Sequence, residues 1–120
     1  MGDFNAKAGQ KEDETEICVG TYGYGERNER GAKMIQFTLQ NGLYVMNTFF
    51  KKHPNRKWTW ASPDGITKNE IDFIMTDKKW IIRDVQVLGE FSIGSDHRIV
   101  RTRIEFNLKS ERRKMIRKRT

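Results

Sequence analysis

The sequence predicts a mixed α/β domain in which one helix covers part of one face of a mixed or antiparallel sheet. Three observations carry this. Helical periodicity is confined to a single stretch after residue 28. Short β-rich runs follow it, separated by turn signals such as "HPN" (53–55) and "PDG" (63–65). Two of those runs are apolar on both faces, as central strands are.

Taken in order, "MGDFN" (1–5) reads as the end of a strand breaking into a loop. Residues 6–30 are rich in glycine and charge and read mostly as loop. Asn28 is a good N-cap, and Glu29 suits the first helical turn. Ala32, Ile35 and Leu39 then fall on one face. Gly42 stands where a left-handed terminating residue belongs. "LYVMNTFF" (43–50), "KWTWAS" (57–62), "EIDFIMT" (70–76) and "RDVQVLG" (83–89) read as strands. In "HRIVRTRIEF" (97–106), Val100, Thr102, Ile104 and Phe106 share one face, while Arg101, Arg103 and Glu105 share the other.

Leu43 and Val45 oppose Tyr44 and Met46, while Ile71, Phe73 and Met75 oppose Ile74. Strands of that kind need a layer on each side, and only one amphipathic helix is evident. Met1 leads at once into a strand end. The chain is therefore expected to be part of a larger two-sheet domain, completed by a partner segment or by self-association.

At 120 residues, one domain is expected. We place it at residues 1–107, followed by a basic tail at 108–120. Net charge is +7, and "KSERRKMIRKRT" (109–120) accounts for six of those charges. The body is near neutral, so charge alone points only weakly to nucleic acid. "RRKMIRKR" (112–119) suits a nuclear signal, although short basic runs are unspecific. The single cysteine, Cys18, excludes an intrachain disulfide and fits an intracellular, reducing setting. No apolar run approaches membrane-spanning length.

Three clusters carry chemistry. Asp3 and Asn5 in "GDFN" place a carboxylate beside an amide, a pair able to hold a metal or orient a water. By themselves they read more simply as an Asx turn. Asp72 lies inside an apolar strand, where a carboxylate is costly unless paired. Its natural partner is a histidine, held by it in one tautomer. "GSDHR" (94–98) supplies Asp96 and His97, a metal ligand and a phosphate-facing acid or base. His53, in a basic turn, reads as a surface residue.

The order of the motifs is more specific than any one of them. "GDFNAKAG", "YGYGERNERG", "NTFFKKHPNRKWTWASPDG", "NEIDFI" and "GSDHRIV" follow one another from residue 2 to about residue 106. In this order they resemble the endonuclease/exonuclease/phosphatase superfamily, with its deoxyribonuclease I-like fold. The resemblance is closest to the apurinic/apyrimidinic-like endonuclease domains of non-LTR retrotransposons, including host proteins of the craniofacial development protein 2-like type. It implies the C-terminal half of a four-layer α/β sandwich and Mg²⁺-dependent cleavage of DNA phosphodiesters. Asp3 would then orient or deprotonate the attacking water, and Asn5 would bond the scissile phosphate. Asp72 would orient His97, His97 would contact the phosphate, and Asp96 would be a Mg²⁺ ligand. Thr59 and Trp60 match the family's Thr-Trp motif and would give support on the substrate side, Trp60 chiefly through packing.

Two departures follow. The family's first half, with its principal Mg²⁺-ligand Glu, is absent, so Mg²⁺ is expected to bind weakly or not at all in this chain alone. Glu70 stands where many relatives carry Arg, Lys or Gln, and would repel phosphate if it faced the groove. The expected function is a retrotransposon-type DNA endonuclease domain, truncated and weak or inactive by itself. The alternative is a non-catalytic, nuclease-derived interaction module whose basic tail contacts nucleic acid. The expected partners are DNA and either the missing N-terminal half or a second copy of the chain.

Overall fold

The first helix begins where a side chain replaces a missing backbone partner. Asn28 Oδ1 accepts from Gly31 N at 2.7 Å and caps the helix α1 (Glu29–Gln40). The same oxygen accepts from Lys7 N at 3.0 Å, and Asn28 N donates to Lys7 O at 3.2 Å. One residue thus starts the helix and ties it to the N-terminal loop. The helix ends at Asn41, whose N–H donates to Phe37 O, and Gly42 follows at φ +66°. The computed structural model describes residues 2–3, 5–91 and 97–105.

The buried face of α1 is Gly31, Met34, Ile35 and Thr38. Of the expected face, only Ile35 is buried, while Ala32 and Leu39 are exposed. Close approach sets the rotation. A Cβ on Gly31 would lie 1.8 Å from Lys7 O, so only glycine lets the loop backbone pass there. Gly31→Ala, which would stabilise a solvent-exposed helix by about 1 kcal/mol, is expected to destabilise this one by about 1–3 kcal/mol. Urea denaturation checks the sign, and a raised midpoint would refute the contact.

The β structure is built from short ladders. The strands are β1 (Gly2–Asp3), β2 (Tyr44–Val45), β3 (Trp60–Ala61), β4 (Lys68–Asn69), β5 (Asp72–Phe73), β6 (Met75–Thr76), β7 (Ile82–Phe91) and β8 (Arg98–Ile104). They pair antiparallel as β1–β5, β2–β6, β3–β4 and β7–β8. Isolated bridges join Val19 to Val45 and Trp60 to His97. The architecture is mixed α/β, with one α-helix and several small antiparallel sheets among the described residues in place of one continuous ladder.

Side chains explain the interruptions. "LYVMNTFF" reads as a strand, yet only Tyr44–Val45 is one, and Met46–Phe49 is a 3₁₀ turn. Thr48 Oγ1 donates to Val45 O at 2.7 Å and accepts from Gly20 N at 2.8 Å. "EIDFIMT" divides at Ile74, whose N–H goes to the Asn47 side chain at 2.9 Å. Polar side chains have taken backbone groups that a continuous sheet would use.

The two-sided apolar runs are covered on both sides where they meet. Val45 and Phe73 pack with Ala6, Ala8, Cys18, Val19, Met34 and Ile35. Their neighbours Met46 and Ile74 pack instead with Ile82 and Val85, backed by Tyr44, Phe49 and Val100. Neighbouring extended residues point to opposite faces, so each pair feeds both clusters. The helix and N-terminal loop cover one face, and the β7–β8 ribbon supplies the second layer that periodicity left unidentified.

Loop 6–27 is ordered by Arg27. Its guanidinium donates to Ala8 O at 2.7 Å and Gln10 O at 3.0 Å, and pairs with Glu16 at 2.7 Å. This pairing holds the Glu16 carboxyl below its ordinary range, against the opposing effect of burial. Among the described residues, no helix is long and apolar enough to cross a membrane. Phe106 and the tail 108–120 lie outside the described residues.

Candidate active site

Asp72 opens β5, and His97 immediately precedes β8. Residues 25 apart in sequence meet here: His97 Nδ1 lies 2.7 Å from Asp72 Oδ2. Both side chains are largely covered, with 25% of the His97 surface and 14% of the Asp72 surface exposed. A carboxylate bonded to Nδ1 holds the ring orientation and favours the Nδ1–H tautomer. In that tautomer Nε2 is the ring nitrogen that carries the lone pair.

Thr59 joins the two segments from beneath. Its Oγ1 accepts from Ile71 N at 3.0 Å and from Asp72 N at 3.2 Å. Its carbonyl accepts from Arg98 N at 2.6 Å, one residue beyond His97. Thr59 is 0% exposed, so it supports the strands rather than touching a substrate. Trp60 forms the backbone bridge to His97 and pairs with Asn69 in β3–β4.

Asp3 lies opposite Asp72 in the β1–β5 register. Asn5 is exposed and adopts φ +50°, a left-handed conformation that asparagine tolerates. Asp96 lies outside the described residues. The structure thus brings Asp72 and His97 together, sets Asp3 beside Asp72 in register, and places Thr59 and Trp60 around them. Among the described residues, no group of three or more His, Cys, Asp or Glu side chains is arranged to hold a metal.

Glu70 does not face a groove. It is 1% exposed, with Oε2 at 3.9 Å from Lys57 Nζ and Oε1 accepting from Tyr24 N at 3.3 Å. Burial pushes its carboxyl up to about 7, although Lys57 and the Tyr24 amide pull the other way. Its carboxylate is therefore not presented to a substrate, contrary to the concern raised by its position in the sequence.

Three further residues belong to the site's support. Asn47 is buried, donating from Nδ2 to Asp72 O at 2.9 Å. Lys57 is buried, donating from Nζ to Asn47 O and to Phe50 O. Burial pulls the Lys57 ammonium down from its ordinary range, with the nearby Glu70 opposing. Arg98 donates to Leu88 O at 3.0 Å and Asn55 O at 2.9 Å, and stacks 3.9 Å from the Trp58 ring centroid. It pins the start of β8, and hence the residue after His97. A polar residue within an apolar run singles out Asp72, and the same signal is present at Asn47. Nothing comparable marks Lys57 or Arg98, which sit in basic stretches and read as solvated.

The chain is 33% identical over 111 residues to craniofacial development protein 2 from Bos taurus, and likewise to that from Tragulus javanicus. Each alignment covers 91% of this chain but only 18% and 19%, respectively, of those proteins. The chain is thus homologous to a segment of craniofacial development protein 2, and spans about a fifth of the length of the curated relatives it matches. No protein-family profile matches it, and no solved structure does.

Proposed function

We propose, taking the homology to craniofacial development protein 2 as the premise, that this chain is a retrotransposon-type DNA endonuclease half-domain. In this reading it corresponds to the C-terminal half of a deoxyribonuclease I-like sandwich and acts on phosphodiesters with Mg²⁺. The observation that carries the reading is the half-buried Asp72–His97 pair at 2.7 Å. The ordered motifs around it support the same ancestry.

The donor types in these motifs, carboxylate and amide oxygens, suit a hard cation, and in the β1–β5 register Asp3 lies opposite Asp72. Asp96 would hold Mg²⁺, which binds oxygen donors and takes one or two carboxylates beside its waters. When bound, the ion supplies charge stabilisation to a phosphate under attack. Asp3 orients the attacking water, Asn5 bonds a phosphate oxygen, and His97, steadied by Asp72, stabilises the developing charge. Completion of the domain falls to its other half or to a second copy, and DNA is the substrate. A nuclear location accords with the basic tail.

Nicking of supercoiled plasmid tests this. Any nicking by this chain alone is expected to be weak, to require Mg²⁺, to be abolished by EDTA and to fall in His97→Ala by about 10²-fold or more, as general acid–base groups typically contribute. Nicking by the wild type no greater than by His97→Ala would reject autonomous cleavage. It would favour the alternative, a nuclease-derived interaction module whose basic tail contacts nucleic acid.

A further inference from the structure

We propose that Asn47 is a positioning residue, fixing the strand that carries Asp72 and thereby setting the Asp72 carboxylate against the His97 imidazole. The inference rests on the reading of Asp72 and His97 as a working pair. Asn47 straddles Phe73: its Nδ2 donates to Asp72 O at 2.9 Å, and its Oδ1 accepts from Ile74 N at 2.9 Å. Asp72 opens β5 and Ile74 falls between β5 and β6, so one amide side chain bridges the break between the two short strands. It is 1% exposed, and water cannot replace it without opening the core.

Asn47 is itself held from behind. Lys57 Nζ donates to its backbone oxygen and to Phe50 O, and sits 3.9 Å from Glu70 Oε2. Glu70 lies two residues before Asp72 on the same segment. Lys57 thus backs Asn47, Asn47 holds the Asp72 carbonyl, and Thr59 Oγ1 holds the Asp72 N–H. Both polar backbone groups of Asp72 are thus assigned, which fixes the strand from which its carboxylate reaches His97.

The measurement is the tautomer of each histidine by ¹⁵N NMR on the full 120-residue chain. His97 is expected to be mainly Nδ1–H because Asp72 accepts there. His53 serves as internal reference: its Nδ1 accepts from Asn55 N at 3.2 Å, which selects the opposite tautomer. Asn47→Ala is expected to lower the Nδ1–H to Nε2–H ratio at His97 by about threefold or more, the effect of losing one ordinary hydrogen bond. His53 should not change.

Ile35→Val, a core change remote in sequence from the pair, controls for general loosening and should leave both histidines alone. Should Asn47→Ala not fold, Asn47→Asp carries the test: it keeps an acceptor for Ile74 N and loses the amide donor that reaches Asp72 O. An unchanged His97 ratio in the folded Asn47 variant overturns the proposal. Asp72→Ala separates the premises. If it shifts His97 and the Asn47 variant does not, the pair stands and the positioning role falls. If Asp72→Ala leaves His97 unchanged, the pair itself is refuted, and the proposed function with it.

Discussion

Phe73→Ala is expected to lower the unfolding free energy by about 3–5 kcal/mol, the range for deleting a buried aromatic ring. Phe73 is 0% exposed and lies where the helix, the N-terminal loop and β5 meet. Its neighbours are held from several directions, so the cavity cannot easily collapse. Domains of this size are stable by only about 5–15 kcal/mol. The variant should therefore be partly unfolded at ambient temperature and show a sharply reduced urea midpoint with little change in slope. A loss below about 1 kcal/mol, the ordinary value for an arbitrary substitution, would mean that the first cluster is not the core. Asp72 directly precedes Phe73, so the same substitution should release the candidate site before the whole chain unfolds.

The second large effect concerns Glu70. Its carboxyl is raised from 4.5 to about 7 in the folded protein, so the folded state binds more protons than the unfolded one between those values. Stability is then greatest below pH 4.5, falls as pH rises toward about 7, and levels off above it, counting this group alone. The decline is about 1.4 kcal/mol for every pH unit crossed between the two values, and about 3 kcal/mol in all. Glu70→Gln keeps the shape and removes the titration. The variant should lack this decline, and its stability relative to wild type should increase from pH 5 to pH 8. Denaturation at those two pH values decides the matter: parallel behaviour would place Glu70 in solvent. Glu70 lies two residues before Asp72, so the same titration should be felt as a change in how tightly Asp72 is held.

Local signals were legible wherever one residue type sufficed. Asn28 as a cap, Gly42 as a terminator and Asp72 as a carboxylate needing a partner all follow from chemistry confined to a few neighbours. The phase of α1 did not follow, because Gly31 is chosen by contact with Lys7 O, a residue far away in sequence. Apolar periodicity selected Ala32 and Leu39, which close backbone approach turns outward. The length of the strands was overread for a similar reason. Asn47, Thr48 and Thr59 satisfy backbone groups with their side chains, and strand propensity contains no term for that. Lys57, Glu70 and Arg98 were the least visible. Each looks solvated by composition and is buried only because three separate segments close over it.

The arginine-held loop has a practical consequence. Lys11 N donates to Gly20 O at 2.8 Å, so the excursion between them leaves and returns at one point on the body. Glu14, within that excursion, has a fully exposed side chain. Lengthening a loop whose ends are already joined costs only about 0.6 kcal/mol for each doubling. Position 14 is thus a natural port for a grafted label or affinity peptide, giving access to the protein without disturbing the strands that carry residues 72 and 97.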